Sequence, residues 1–292
     1  MGELYLQYEY WFAAAQLVLA MLGMGATLTP GQFRDVLIEP KAVSIGLAIQ
    51  LIMVPAAAAL FIAGFGLVGG VAVGVALISA IPGGTVSNIF THMARGNTAL
   101  SISLTAITTL ACLFTTPLIL GLLIAQYMPA DFAMPRGQVM REIAWTLLLP
   151  LGLGMVFLRQ LPMYAPAFSK WCIRGSLLGI AAIVVGSSAS GRLDVEAFGF
   201  TNLLLVLLFC AVLAVASLLA CRLLGLSKHD ATAIDVEVVV RNINLSVLIK
   251  ASIFPAMVGV PDPLGDMVLL TLLAFGGVQL LAGLALVATR RQ

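Results

Sequence analysis

SAIPGGTVSNIFTHMARGN, residues 79–97, closes an apolar run that begins near residue 69, and its middle cannot continue as an ordinary helix. Pro82 removes a backbone donor, and Gly83 and Gly84 loosen the chain behind it. Thr85, Ser87 and Asn88 follow, offering oxygens and an amide where the backbone is freed. Inside lipid such a break survives only where it faces protein or a watery cavity. The alternative for this segment is a proline kink with its hydroxyls bonded to upstream carbonyls.

A second interruption lies in IDVEVVVRNINLSVLIK, residues 234–250, where Asp235, Glu237, Arg241, Asn242, Asn244 and Ser246 crowd into one apolar run. Asn242 and Asn244 are poor helix formers that tolerate irregular backbone. The alternative is a self-neutralising ion-pair network between packed helices. Charge at membrane depth costs several kcal/mol, so Arg241 and Lys250 there mark a functional site by default.

Composition places both stretches in a membrane. Of 292 residues, 61% are hydrophobic and 10% charged, and the mean hydropathy is +1.09. A soluble domain carries about 25% charged residues. Cys112, Cys172, Cys210 and Cys221 lie in or beside apolar runs without metal-type pairing and read as small buried residues. The acidic start MGELYLQYEY runs directly into a full-length span, unlike a cleavable signal peptide.

At roughly 20 residues per span, the sequence predicts nine spans in one membrane domain. They are approximately 10–29, 42–63, 69–94, 98–126, 143–158, 171–190, 199–223, 231–257 and 266–288, the fifth being short. The positive-inside rule fixes the orientation. With the N-terminus outside, ten basic residues face the cytoplasm: Arg34, Lys41, Arg95, Arg159, Lys170, Arg174, Arg222, Lys228, Arg290 and Arg291. Only Arg136, Arg141 and Arg192 then face outward, beside Asp131, Asp194, Glu196, Asp262 and Asp266. A multi-pass membrane protein with an outside N-terminus and a cytoplasmic C-terminus follows, and a bacterial inner membrane is its expected location. The two interrupted spans run in opposite directions, and each is followed by one more span. That is the pattern of an inverted-repeat transporter whose half-helix ends meet at the bilayer midplane.

At these residues the chain resembles the bile acid:sodium symporter family, which includes bile acid carriers and bacterial organic-anion transporters. The likeness rests on GMGATLTPGQF (23–33), Gln50 five residues before Pro55, PGGTVSN (82–88), ARGNTALSISLTAIT (94–108), TTPLIL (115–120) and the glutamate segment at 237–244. It spans nearly the whole chain and resembles the family's nine-helix form. The resemblance implies an all-α fold with two crossing broken helices. A core at about 42–126 and 199–288 would rock against a panel at about 10–29 and 143–190.

It also implies two sodium ions behind the crossing. Ser87, Asn88, Ser101, Thr105 and Glu237 match the first site in type and spacing, and Ser101 and Thr105, four apart, share one helix face. At the second site Gln50, Glu237 and the carbonyls of Val238 and Val240 match, but Arg241 replaces the usual amide. A guanidinium is all donor and cannot ligate sodium. Three readings of Arg241 follow. It reaches Glu237 and Gln50 as a tethered cation in place of the second sodium, it clamps the substrate anion, or it pairs with Asp235. Thr85, Asn242, Asn244 and Arg241 are the candidate substrate contacts. Lys250 either lines an outer vestibule or snorkels to the headgroups, and Gln279 makes an interhelical hydrogen bond. His92 and His229 lie near the cytoplasmic surface and are not expected to relay protons.

The expected function is a monomeric secondary transporter that imports a small or amphipathic organic anion by alternating access with sodium, without nucleic-acid partners. A sodium-independent or proton-coupled carrier of the same fold is the alternative. An intramembrane enzyme would need paired histidines with a glutamate, two facing aspartates or a buried Ser–His pair, and none of these patterns occurs. A channel favours repeated pore elements in an oligomer over two inverted breaks in one chain.

Overall fold

The computed structural model describes residues 2–29, 31, 40–127 and 133–290. Arg34, Asp131 and Arg291 of the charge count, and Pro30, Gln32 and Phe33 of the 23–33 motif, lie outside the described residues. The long elements are all helices. Six among the described residues are long and apolar enough to cross a membrane. These are α2 (Pro40–Phe65), α5 (Thr98–Leu123), α6 (Arg136–Gln160), α7 (Ala165–Ala189), α8 (Val195–Leu223) and α11 (Pro263–Arg290). α1, Gly2–Gly25, is 24 residues long but carries Glu9 and Gln16 in its course. The rest come as interrupted pairs, α3 (Gly69–Ala80) with α4 (Thr85–Met93), and α9 (Lys228–Val239) with α10 (Ile243–Ile253).

The fifth span is the main correction to the expected bounds. α6 runs over 25 residues, not the short 143–158 stretch, because the polar segment Arg136–Glu142 is already helical. Two helices contain a π-helical turn shortly before a proline, Ile49–Met53 ahead of Pro55 and Ile143–Leu148 ahead of Pro150. Proline lacks an N–H and crowds the carbonyl four residues back. Widening the turn relieves both and lets the helix continue. Gln50 sits in the first of these turns.

Side chains are arranged inside out relative to a water-soluble protein. Large apolar groups such as Leu60, Leu122, Leu178 and Leu281 stand exposed on the flanks, while Gln50, Ser87, Thr105, Glu237, Arg241 and Lys250 are buried. That distribution suits lipid as the solvent. With lipid outside, helices gain little from hydrophobic association and pack through small residues. A β-carbon on Gly25 would stand 2.1 Å from the Leu151 carbonyl oxygen, which brings α1 and α6 backbone to backbone. Gly70 and Gly74 likewise admit the Leu264 carbonyl and Thr271 of α11. The four cysteines are free and buried.

Candidate functional site

The interrupted pairs cross. Between α3 and α4 the backbone is extended at Ile81 and again at Gly84, and between α9 and α10 it is extended at Val240. The two extended pieces lie antiparallel, Gly83 opposite Arg241, and the Asn242 amide donates to the Pro82 carbonyl at 2.9 Å. Proline and the glycines thus leave carbonyls free, and the partner break takes one of them. Gln279 of α11 clamps the crossing. Its Oε1 accepts from the Arg241 amide (2.8 Å), and its Nε2 donates to the Arg241 carbonyl (3.2 Å). The Asn242 side chain caps α10 by accepting from the Leu245 amide at 3.3 Å.

On one side of the crossing the carboxylate of Glu237 is fully buried and held by three hydroxyls. Ser87 Oγ donates to Oε1, Ser101 Oγ lies 2.7 Å from Oε1, and Thr105 Oγ1 lies 2.8 Å from both carboxylate oxygens. Asn88 Oδ1 stands 2.8 Å from Ser101 Oγ and 3.2 Å from Thr105 Oγ1. Ser87 also reaches the Gly84 carbonyl, and Thr105 the Ser101 carbonyl. All five residues matched to the first site therefore meet at one point. Three hydroxyls supply three protons, while the carboxylate, the Asn88 oxygen and two carbonyls all compete for them. The excess of oxygen lone pairs is a donor set that suits a small hard cation, as hard cations take oxygen ligands.

Beside this cluster lies Arg241, itself buried. Its guanidinium bonds the Ser79 carbonyl (3.2 Å) and the Ile81 carbonyl, with a long contact to Gln50 Oε1 (3.4 Å). These carbonyls belong to the C-terminal end of α3, where the helix dipole favours a positive charge. The guanidinium makes no ion pair with Glu237 among the described residues, so the expected reach to both Glu237 and Gln50 holds for Gln50 alone. Val238 and Val240 are buried at the end of α9, but the carbonyls that Arg241 uses are those of Ser79 and Ile81. Arg241 Nε and Gln50 Nε2 have no acceptor among the described residues. About 10 Å³ of space remains between Gln50, Ser79, Thr108 and Arg241, roughly the room of one water.

Asp235 is not the partner of Arg241. It pairs with Arg290 near the end of α11 and accepts from Ser217 Oγ at 2.8 Å. Lys250 neither snorkels nor lines a vestibule. It is wholly buried, and its Nζ lies 2.7 Å from Glu9 Oε1. His229 Nδ1 meets the Arg95 carbonyl at 2.8 Å, joining the loop after α4 to the start of α9.

On the other side of the crossing opens a cavity of about 750 Å³. Thr85, Asn242, Asn244 and Arg241 border it at the crossing, and the flanks of α7, α8 and α11 supply largely aliphatic walls. α4 and α10 both begin at this cavity. The sequence reading missed Ser176 and Gln16, which approach Asn244. Ser176 Oγ accepts from Asn244 Nδ2 (3.3 Å), and Gln16 Nε2 donates to the Asn244 carbonyl (3.0 Å). Single polar residues in long apolar helices carry no signal of which neighbour they meet.

Residues 14–192 match the model of the Sodium Bile acid symporter family, well over half of the chain. The chain belongs to that family. It is 29% identical over 246 residues to the sodium-dependent transporter YocS of Bacillus subtilis, covering 84% of this chain and 75% of that protein. It is 29% identical over 280 residues to the rat sodium-dependent organic anion transporter, covering 94% of this chain and 72% of the relative. A chloroplast protein of Arabidopsis thaliana named as the sodium/metabolite cotransporter BASS1 is 29% identical over 241 residues, but the chain spans only 58% of its length. These relatives are named as transporters and not as enzymes. The protein is a multi-pass membrane protein of a transporter family.

Proposed function

We propose that the protein is a secondary transporter that couples entry of an amphipathic organic anion to sodium by alternating access. The observation that carries this reading is the convergence of Ser87, Asn88, Ser101 and Thr105 on one buried carboxylate at the crossing. These five groups are the sodium site. Sodium there neutralises Glu237 and relieves the competition among lone pairs, which tightens α4, α5 and α9 around the crossing. Arg241 takes the place of a second sodium. Two sodium ions with one glutamate carry +1, and one sodium with Arg241 and Glu237 carries the same. Asp235 does not disturb this count, since its charge is met by Arg290.

The cavity sets the sign and shape of the substrate. Its volume lies in the range of small-molecule sites. Its walls suit an apolar body, and the N-terminal ends of α4 and α10 offer amides and dipole to a negative head. Thr85, Asn242 and Asn244 orient that head. The names of the rat and Bacillus relatives support an organic anion and sodium dependence. Nine spans with the N-terminus outside accommodate the six long helices, α1 and the two interrupted pairs, and the panel of α1, α6 and α7 moves against the remaining helices. A thermal-shift screen of organic anions with and without sodium tests the reading, since a ligand that binds the native state raises its apparent stability. An anion whose stabilisation grows with sodium is expected. A hit list that ignores sodium would favour the sodium-independent carrier.

A further inference from the structure

The panel reading, on which this inference rests, requires the seam between α1 and α10 to open during transport. At the cavity the seam starts with Gln16 on α1 and Asn244 on α10. Farther along it is closed by Glu9 and Lys250. Glu9 Oε1 takes the Lys250 ammonium at 2.7 Å, and Oε2 accepts from the Ala256 amide at 3.1 Å. Lys250 is 0% exposed and Glu9 5%. Glu9 precedes Gln16 by seven residues and Lys250 follows Asn244 by six, so at 1.5 Å per residue the pair stands roughly 10 Å beyond the cavity. Between the two points Ala13 and Ser246 are fully buried. The seam between α1 and α10 is dry along this stretch.

A buried ion pair is a poor fastener for two helices that never part. Apolar side chains of similar volume hold such a contact as well or better, because neither charge then loses its water. The balance changes for a contact that must open. Shut, the two charges satisfy each other in a dry seam. Open, each regains water. Partly open, they are neither paired nor hydrated. The pair therefore favours two end states over anything between, which is what a gate requires. We propose that Glu9 and Lys250 form the latch that holds the seam between α1 and α10 closed.

The test uses the full-length protein in nanodiscs with a polar maleimide and no substrate. One reporter is Ala13→Cys in the seam, and the other is Val86→Cys at the cavity, each read above the background of the four buried cysteines. The single variant Lys250→Met leaves the Glu9 carboxylate uncompensated in the dry seam, a charge that regains water only when the seam opens. If the shut state dominates and the open state is a minor one of a few per cent, this variant should speed labelling of Ala13→Cys about tenfold. Labelling of Val86→Cys should fall in step. The double variant Glu9→Gln with Lys250→Met, which strands no charge, and the exchanged pair, Glu9→Lys with Lys250→Glu, should restore protection at Ala13→Cys. Continued protection of Ala13→Cys in Lys250→Met would overturn the latch. So would a rise at both reporters with a lower melting temperature, the mark of a merely structural pair. Neither readout requires transport, so failure of the latch is distinguishable from failure of the transport reading.

Discussion

Oε2 of Glu237 occupies the space that a β-carbon on Gly83 would need, 2.0 Å from where that atom would stand. The break in α3–α4 and the carboxylate of α9 are therefore fitted to each other, with no room between them for even a methyl group. Gly83→Ala should displace the carboxylate from Ser87 and Thr105, abolish sodium-dependent stabilisation and cost about 1–3 kcal/mol of stability, as overpacking does. Gly84→Ala is the control, because its β-carbon would meet nothing nearer than 3.4 Å and its backbone is one that alanine adopts. It should keep the sodium-dependent shift. Melting curves with and without sodium compare the two.

Glu237→Gln keeps the shape of the side chain and removes its charge. The protein should insert and fold, yet lose coupled uptake. Ser101→Ala or Asn88→Ala removes one oxygen each from the cluster, and each should raise the half-saturating sodium concentration about tenfold, or ~1.4 kcal/mol. Uptake by Glu237→Gln that responds to sodium as wild type does would remove the carboxylate from the site.

Substrate contacts should separate from sodium contacts. Thr85→Val and Asn244→Leu keep volume but delete hydrogen-bonding groups at the cavity, where an unpaired polar atom on the ligand is costly. Both should weaken the stabilisation given by an anion identified in the thermal screen while leaving the shift with sodium alone unchanged. A loss of the sodium shift in these variants would show that the two sites are not distinct.

Much of this was legible in the sequence, for physical reasons. Pro82, Gly83 and Gly84 announce a broken helix because no lipid-embedded helix absorbs them unaided. The four residues around Glu237 could be grouped with it by a family motif before any distance was known. α6 was harder, because Arg136–Glu142 looks like a loop and hides the first two turns of the helix. Pairings across the fold were harder still. Glu9 and Lys250 lie 241 residues apart, and Glu9 counted merely as part of an acidic terminus. Asp235 seemed free to meet Arg241, six residues on, but its position on α9 turns it toward Ser217 and Arg290. Local sequence fixes where a helix breaks. Which charges then meet depends on packing.

Arg241 carries the central claim, and sodium-dependent uptake in proteoliposomes tests it most directly. If its guanidinium stands in for a second sodium, wild-type uptake should rise with a Hill coefficient near one. Arg241→Gln would remove the tethered charge and return an oxygen beside Gln50 and the carbonyls of Ser79 and Ile81. That variant should therefore depend on sodium more steeply than wild type and still transport. Arg241→Lys should perform worse than wild type, since an ammonium cannot reproduce a planar fork to two carbonyls. A wild-type Hill coefficient near two would contradict the account.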